Sequence, residues 1–192
     1  MATLLLAGCR KTQKPDEDPL YQAGMWSDTI QKLHSLDVSD TEITEILKAH
    51  QAGFSDDDCV EVVRLARGRK KTFNDGDAIA GLLHVGVSEP NVLALGRLDQ
   101  LGPWAADLQG IRLAGYSDQV VMAVARRRAA GLATVSGTSL VELKNTGVSE
   151  QQVLAQIDRG LSDEQAGQMI AEHQHAEMPR GFVRKASSKH HQ

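Results

Sequence analysis

Apolar residues recur along this chain at helical spacing, and a single tetrapeptide interrupts the runs at near-regular intervals. Gly, an apolar residue, Ser, and Asp or Glu stand together at Gly53-Phe54-Ser55-Asp56, Gly86-Val87-Ser88-Glu89, Gly115-Tyr116-Ser117-Asp118, Gly147-Val148-Ser149-Glu150 and Gly160-Leu161-Ser162-Asp163. Each copy reads as a joint between two helices. Gly fits just past a helix end, where the left-handed backbone carries no Cβ penalty. The apolar residue that follows packs back on the position four before the Gly, which is Ala49, Leu82, Ile111, Leu143 or Gln156. Ser then caps the next helix, and the acid at its first position faces the positive end of the dipole. The same apolar side chain also staples onto the fourth residue of the new helix, which is Cys59, Val92, Val121, Val153 or Ala166. Seven residues before each Gly stand Ile46, Ile79, Leu108, Leu140 and Val153. Asp37-Val38-Ser39-Asp40 is a sixth copy, with Ile30, Leu33 and Ile43 at the same offsets. Asp tolerates the left-handed region better than most residues.

The pattern predicts about ten short helices, over roughly 28–36, 40–52, 56–67, 75–85, 89–100, 104–114, 118–130, 138–146, 150–159 and 163–176. Joints with the tetrapeptide, Asp37 included, are spaced 16, 33, 29, 32 and 13 residues apart. Each interval near 32 holds one looser joint: Gly68 to Asn74, Leu101-Gly102-Pro103, and Gly131 to Thr138. The expected fold is all-α, a helical-hairpin repeat of about 32 residues, stacked as a solenoid or closed as a compact bundle. The doubled tight joints at both ends suit terminal repeats that cap a stack.

Composition narrows this little. The chain has 192 residues, 41% hydrophobic but only 4% aromatic, so small aliphatic side chains fill the core. A net charge of −4 disfavours a general nucleic-acid binder, whose footprint is a basic face. No run of about 18 apolar residues occurs, so no helix is expected to span a membrane. Cys9 and Cys59 give no disulfide framework. Cys59 falls on an apolar helix face and reads as a small buried hydrophobe.

Near the start, Leu6-Ala7-Gly8-Cys9 resembles the lipobox of bacterial lipoproteins. The resemblance implies cleavage before Cys9, acylation of that Cys, and a mature fold that excludes residues 1–8. The segment lacks a preceding Lys or Arg and has only a short apolar run, departures that a start codon placed too far downstream would explain. Arg10, rather than Asp, follows the Cys, so the resemblance implies a lipid-anchored place in the bacterial cell envelope, at the outer membrane in a Gram-negative cell. Residues 1–9 are then a truncated signal and lipobox, 10–25 a polar linker with Pro15 and Pro19, 26–176 the helical repeat domain, and 177–192 a basic tail with Arg180, Arg184, Lys185 and Lys189. The stretch from Thr138 to Leu154 resembles hairpin repeats of bacterial envelope proteins, a likeness that brings no activity with it.

Catalytic chemistry finds little footing. A repeated Ser beside an acid is a cap rather than a nucleophile, since no His recurs with it. His173 and His175, two apart, lie on different faces of a helix, and no spaced Cys or His set completes a zinc site. The glycines sit at helix ends and form no phosphate loop. No metal or cofactor is expected, and no catalytic residue is assigned. Two basic runs remain, Arg64, Arg67, Arg69, Lys70 and Lys71 in one, and Arg126, Arg127 and Arg128 in the other. Cations suit helix C-termini, where they offset the dipole. If stacked hairpins bring both runs to one edge, they form an anion or partner patch. The expectation is a non-enzymatic binding or scaffold protein, tethered to the membrane through Cys9, with another protein or an envelope polymer as partner. The alternative is a cytoplasmic helical protein that binds nucleic acid through its basic helix ends and tail. An enzyme to which this region is an accessory is the third and least supported.

Overall fold

A computed structural model describes residues 18–177. The lipobox with Cys9, most of the linker, and the basic tail beyond Glu177 lie outside the described residues. Eleven helices run through them: α1 (Pro19–Gln22), α2 (Ser27–Ser35), α3 (Asp40–Gln51), α4 (Asp56–Gly68), α5 (Gly76–His84), α6 (Glu89–Arg97), α7 (Ala105–Leu113), α8 (Asp118–Ala129), α9 (Gly137–Asn145), α10 (Glu150–Arg159) and α11 (Asp163–Glu177).

The fold is all-α, as the periodicity predicts. Each helix packs on the helix two places along the chain, odd on odd and even on even, and α1 with α2, α3 with α4, α5 with α6 and α7 with α8 pack across the gap. The result is a two-layer solenoid rather than a closed bundle. The core runs between the layers and is built from the joint offsets. Phe54, Val87, Tyr116, Val148 and Leu161 are at most 5% exposed, and their staple partners Cys59, Val92, Val121, Val153 and Ala166 are 0% exposed.

Every helix end from α1 to α10 carries one left-handed residue, at Gly24, Asp37, Gly53, Lys70, Gly86, Asp99, Gly115, Gly131, Gly147 and Gly160. Backbone bonds close the turn at tight joints, as in Phe54 N to Ala49 O at 3.1 Å and Val87 N to Leu82 O at 3.0 Å. Loose joints open in the same way, with Lys71 N to Ala66 O at 2.9 Å and Gln100 N to Leu95 O at 3.0 Å. Two of them turn on Lys70 and Asp99, with φ of 57° and 58°, and not on the nearby Gly68 and Gly102.

The linker expected over 10–25 is shorter than the sequence suggested. Asp18 caps α1 by accepting from Leu20 N at 2.9 Å, and Leu20 and Met25 are 0% and 3% exposed. A single turn of helix is too short to show a period, which hid it. Trp26, expected to open the ordered part, is 79% exposed.

Alternation of direction sorts the joints. One edge carries only tight joints, from α1 into α2 through α9 into α10. The opposite edge carries the loose joints 69–75, 98–104 and 130–136, flanked by the tight joints at Asp37 and Gly160. On the tight edge the acid opening each helix reaches back one repeat. Trp26 N donates to Asp56 Oδ2 at 2.7 Å, Ser55 N to Glu89 Oε1 at 2.5 Å, Ser88 N to Asp118 Oδ2 at 2.9 Å, and Ser117 N to Glu150 Oε2 at 3.3 Å. These acids therefore bind repeats together, besides facing the dipole of their own helix. At the C-terminal end the pattern closes on itself: Ser149 N donates to its own Gln152 Oε1 at 3.1 Å, and Ser162 N to Gln165 Oε1 at 2.9 Å.

Helices of the odd layer approach closely at Gly76, Gly81 and Gly137. A Cβ on Gly76 would lie 2.1 Å from the Glu45 carbonyl oxygen, and one on Gly137 would lie 2.4 Å from Asp107 Oδ1. The freed space lets Gly76 N donate to Glu45 Oε2 at 2.9 Å and Gly137 N to Asp107 Oδ1 at 2.8 Å.

Candidate functional site: a cleft along the loose-joint edge

Where the first two loose joints lie side by side they leave a cleft of about 880 Å³. Its floor is apolar, with Val62 and Ala66 of α4, Phe73 of the first joint and Leu101 of the second. Residues 71–75 and 98–103 of the two joints line it as well, and so do Trp104 and Arg128. Trp104 and Arg128 also line a smaller hollow of about 340 Å³ that continues to Leu132 and Thr134 of the third loose joint. Together the two depressions follow this edge across three hairpins. Trp104 and Leu132 present 44% and 52% of their surface to solvent.

Both basic runs reach this edge, since α4 and α8 end on it, and Arg69, Lys71 and Arg128 line the cleft together. Most of their charge is already engaged. Arg67 grips Glu42 with both nitrogens, at 2.6 and 2.8 Å, and donates to Leu36 O at 3.2 Å. Glu42 also accepts from Ser39 N at 3.0 Å and Phe73 N at 2.9 Å. With Arg67 first among these donors, the Glu42 carboxyl is held down at about 2. Arg67 thus ties α2, α3, α4 and the first loose joint, and belongs to the framework. Arg69 caps the end of α6, donating to Gly96 O and Arg97 O at 2.8 Å each. Lys71 pairs with Asp99 at 2.8 Å and holds its carboxyl below the usual range. Arg127 donates to Ala133 O at 3.1 Å and to Asp158 O at 3.3 Å. Arg128 pairs with Asp107 and stacks its guanidinium 4.6 Å from the Trp104 ring centroid. Arg64, Lys70 and Arg126 are exposed.

Against these paired charges stand groups without partners. Asp75 precedes α5 at the N-cap position, yet its side chain makes no capping bond. Burial, then the neighbouring Asp99, pushes its carboxyl upward. Gln100 is 6% exposed, and its Oε1 is buried with no hydrogen-bond partner. Arg128 Nη1 and Thr134 Oγ1 are likewise buried and unpartnered. All four residues line the two connected depressions. A native interior leaves few such groups, and each calls for a ligand, water or strain to explain it.

Asp75, Gln100 and Trp104 escape reasoning from sequence. The only signal was the length of the loose joints, which marked where the edge opens but not which side chains face the opening. The joint residues Gly53, Ser55, Gly86, Ser88, Gly115, Ser117, Gly147, Ser149, Gly160 and Ser162 all lie at helix ends, where they shape the array. Cys59 is fully buried and burial pushes its thiol up to about 12, which removes it as a nucleophile. Among the described residues no group of three or more His, Cys, Asp or Glu gathers to hold a metal ion, and no helix is long and apolar enough to cross a membrane. No family model, curated protein or solved structure matches this chain.

Proposed function

We propose that the protein is a non-catalytic binding module that receives an extended segment of another protein along its loose-joint edge. The observation that carries this reading is the cleft itself. Buried apolar side chains line it, and it and the adjoining hollow together hold the exposed Trp104, the exposed Leu132 and buried polar groups left without partners. Solenoids use their continuous edges and faces in this way, each repeat adding contact to its neighbour's. A photo-reactive residue at Leu132 or Trp104 is expected to capture a polypeptide in the living cell. The same residue at Gln119, on the tight edge, is not. Equal capture at the two edges, or none at either, would discard the reading.

Anchoring through Cys9 is part of the same proposal and would hold the module at an envelope membrane. A fatty-acid analogue is expected to label the chain when it is made in a bacterium, and Cys9→Ser is expected to abolish the label. A second reading keeps nucleic acid as the ligand, because both basic runs reach one edge. Glu42, Asp99 and Asp107 stand against it by neutralising Arg67, Lys71 and Arg128. Retention on DNA or RNA that falls steeply with salt would restore it.

A further inference from the structure

The polar chemistry of the cleft is unbalanced in one direction. Of the charged side chains that line it, Arg69 is bonded to carbonyls of α6, Lys71 to Asp99, Asp77 to Lys48 at 2.7 Å, and Arg128 to Asp107. The Asp75 side chain makes no hydrogen bond and no ion pair within 4.0 Å; Lys71 and Arg69 favour its charge from farther off, but burial and Asp99 outweigh them. Nor does Asp75 cap α5, since its side chain accepts from neither of the N–H groups an N-cap residue serves, those of Asp77 and Ala78, and Glu45 Oε2 takes the N–H of Gly76. Gln100 faces the same situation by another route. Its Nε2 lies 3.4 Å from Asp99 O, and its Oε1 is buried without a donor. Asp75 and Gln100 thus both line the cleft, and the Asp75 carboxylate and the buried Gln100 Oε1 are two acceptors without donors. Only a donor satisfies them, and a charged donor satisfies the carboxylate best.

Resting on the binding reading above, we propose that the cleft recognises a basic side chain, Lys or Arg, of the bound segment, with Asp75 and Gln100 Oε1 as its acceptors. The methylenes of that side chain lie over Phe73 and Leu101 on the apolar floor, as long cationic side chains commonly bury their stems. An acidic side chain in the same place would meet Asp75 and Asp99 and leave both acceptors empty. Arg128 Nη1, the unpartnered donor at the Trp104 end, then takes a carbonyl oxygen of the same segment. One bound segment thus fills both acceptors and the donor.

The test uses four blocked tripeptides, N-acetyl-Gly-X-Gly-amide with X as Lys, Arg, norleucine or Glu, titrated into the nitrogen-15-labelled protein. The lysine and arginine peptides are expected to shift the Gln100 side-chain amide and the Trp104 indole signals and to saturate in the millimolar range. Norleucine, which keeps the stem without the charge, is expected to bind about tenfold more weakly, as is Glu. Asp75→Asn is expected to weaken the lysine peptide about tenfold and the norleucine peptide not at all. The Asp75 side chain makes no hydrogen bond in the fold, so this variant retains it, and an unchanged melting curve checks that. Gln100→Met is a second variant with the apolar floor extended, expected to weaken lysine about threefold. Norleucine binding equal to lysine, or Asp75→Asn without effect on lysine, overturns the basic-residue inference and leaves the binding reading standing. No shift with any of the four peptides overturns the inference, and the photo-crosslinking experiment then decides the binding reading separately.

Discussion

The two edges of the solenoid are built from the same helices and solve the same problem differently. Tight joints such as 52–55, 85–88 and 114–117 take four residues, and the loose joints 69–75, 98–104 and 130–136 take seven. A four-residue joint leaves one helix-capping N–H to satisfy, and the acid of the next repeat satisfies it, 30 to 34 residues on. Little is left over. A seven-residue joint exposes three more peptide units, and the protein borrows side chains to meet them. Arg67 reaches the carbonyl of Lys71, Arg127 that of Ala133, and Glu42 the N–H of Phe73. The borrowing is incomplete, and Asp75, Gln100 and Arg128 Nη1 remain. A repeat that closes its own hydrogen bonds offers only surface, whereas one with longer joints gains a cleft with chemistry in it.

The strongest test of this contrast removes the hub of the loose edge. Glu42 is 2% exposed and accepts from Arg67, Ser39 and Phe73. Glu42→Leu strands the Arg67 guanidinium and two backbone donors, and is expected to lower unfolding free energy by about 3–5 kcal/mol in urea melts. The pH dependence has a definite sign. The folded carboxyl is held at about 2 against an ordinary value of 4.5, so its contribution is fully present above 4.5 and drains as pH falls toward 2. The variant should therefore lose stability less steeply than the parent in that window. An equally steep acid limb would show that other carboxyls govern it.

Next in size is the close approach at Gly76. A Cβ there meets a backbone carbonyl at 2.1 Å, and no rotamer relieves it, so α3 and α5 must move apart. Gly76→Ala is expected to cost about 3 kcal/mol. Gly110→Ala serves as its partner measurement, since nothing lies within 4 Å of that Cβ and the site is helical. It should gain up to about 1 kcal/mol from propensity alone. Similar thermal shifts in the two variants would remove the close approach as a structural requirement.

On the tight edge, Asp118 receives Ser88 N at 2.9 Å, Ser88 Oγ at 2.7 Å and Asn91 Nδ2 at 2.8 Å. Asp118→Ala breaks one rung of the ladder and is expected to cost about 1–2 kcal/mol in thermal melts. The change is smaller than at Glu42 because Ser88 is exposed and water replaces part of what is lost. A cost as large as that of Glu42→Leu would place the two edges on an equal footing.

Much of the tight edge was legible because its rules are local. A left-handed residue, a staple, and apolar partners four and seven residues before the Gly all fall within one helix of the joint. Phe54, Val87 and Tyr116 are buried where the offsets put them. The second role of Asp56, Glu89, Asp118 and Glu150 was not legible, because it depends on the register between repeats, set by helix packing. Lys70 and Asp99 were hidden for a different reason: Gly68 and Gly102 stand nearby and invite the left-handed assignment that these two residues take. Gly76 and Gly137 look like loop glycines in the sequence, and only the spacing of α3 from α5 and α7 from α9 shows why they lack side chains. The cleft was the least legible of all. The basic runs pointed to the right edge and to Arg128, but Asp75, Gln100 and Thr134, the other side chains left without partners there, lie in loops that carry no pattern.

The smallest predicted effect separates the two edges most cleanly, because its sign differs from the one before. Asp75 and Asp118 are both acids at helix starts. Asp118 accepts three hydrogen bonds, and its carboxyl sits below the ordinary range. Asp75 accepts none, and burial together with Asp99 holds its carboxyl above that range. For a group raised in this way, the folded state binds the proton more tightly than the unfolded chain does. Its ionised form therefore destabilises the fold above the folded value, and that penalty fades as pH falls through it toward the ordinary 3.8. Asp75→Asn removes the charge and keeps the shape. At neutral pH it is expected to leave stability unchanged or raise it by up to about 0.5 kcal/mol, while Asp118→Asn, which turns an acceptor of three bonds into a poorer one, lowers it. Paired urea melts at pH 7 measure both. A loss at Asp75 as large as the loss at Asp118 would mean that Asp75 is spent on the fold after all, and the cleft would then have no free acid to offer a ligand.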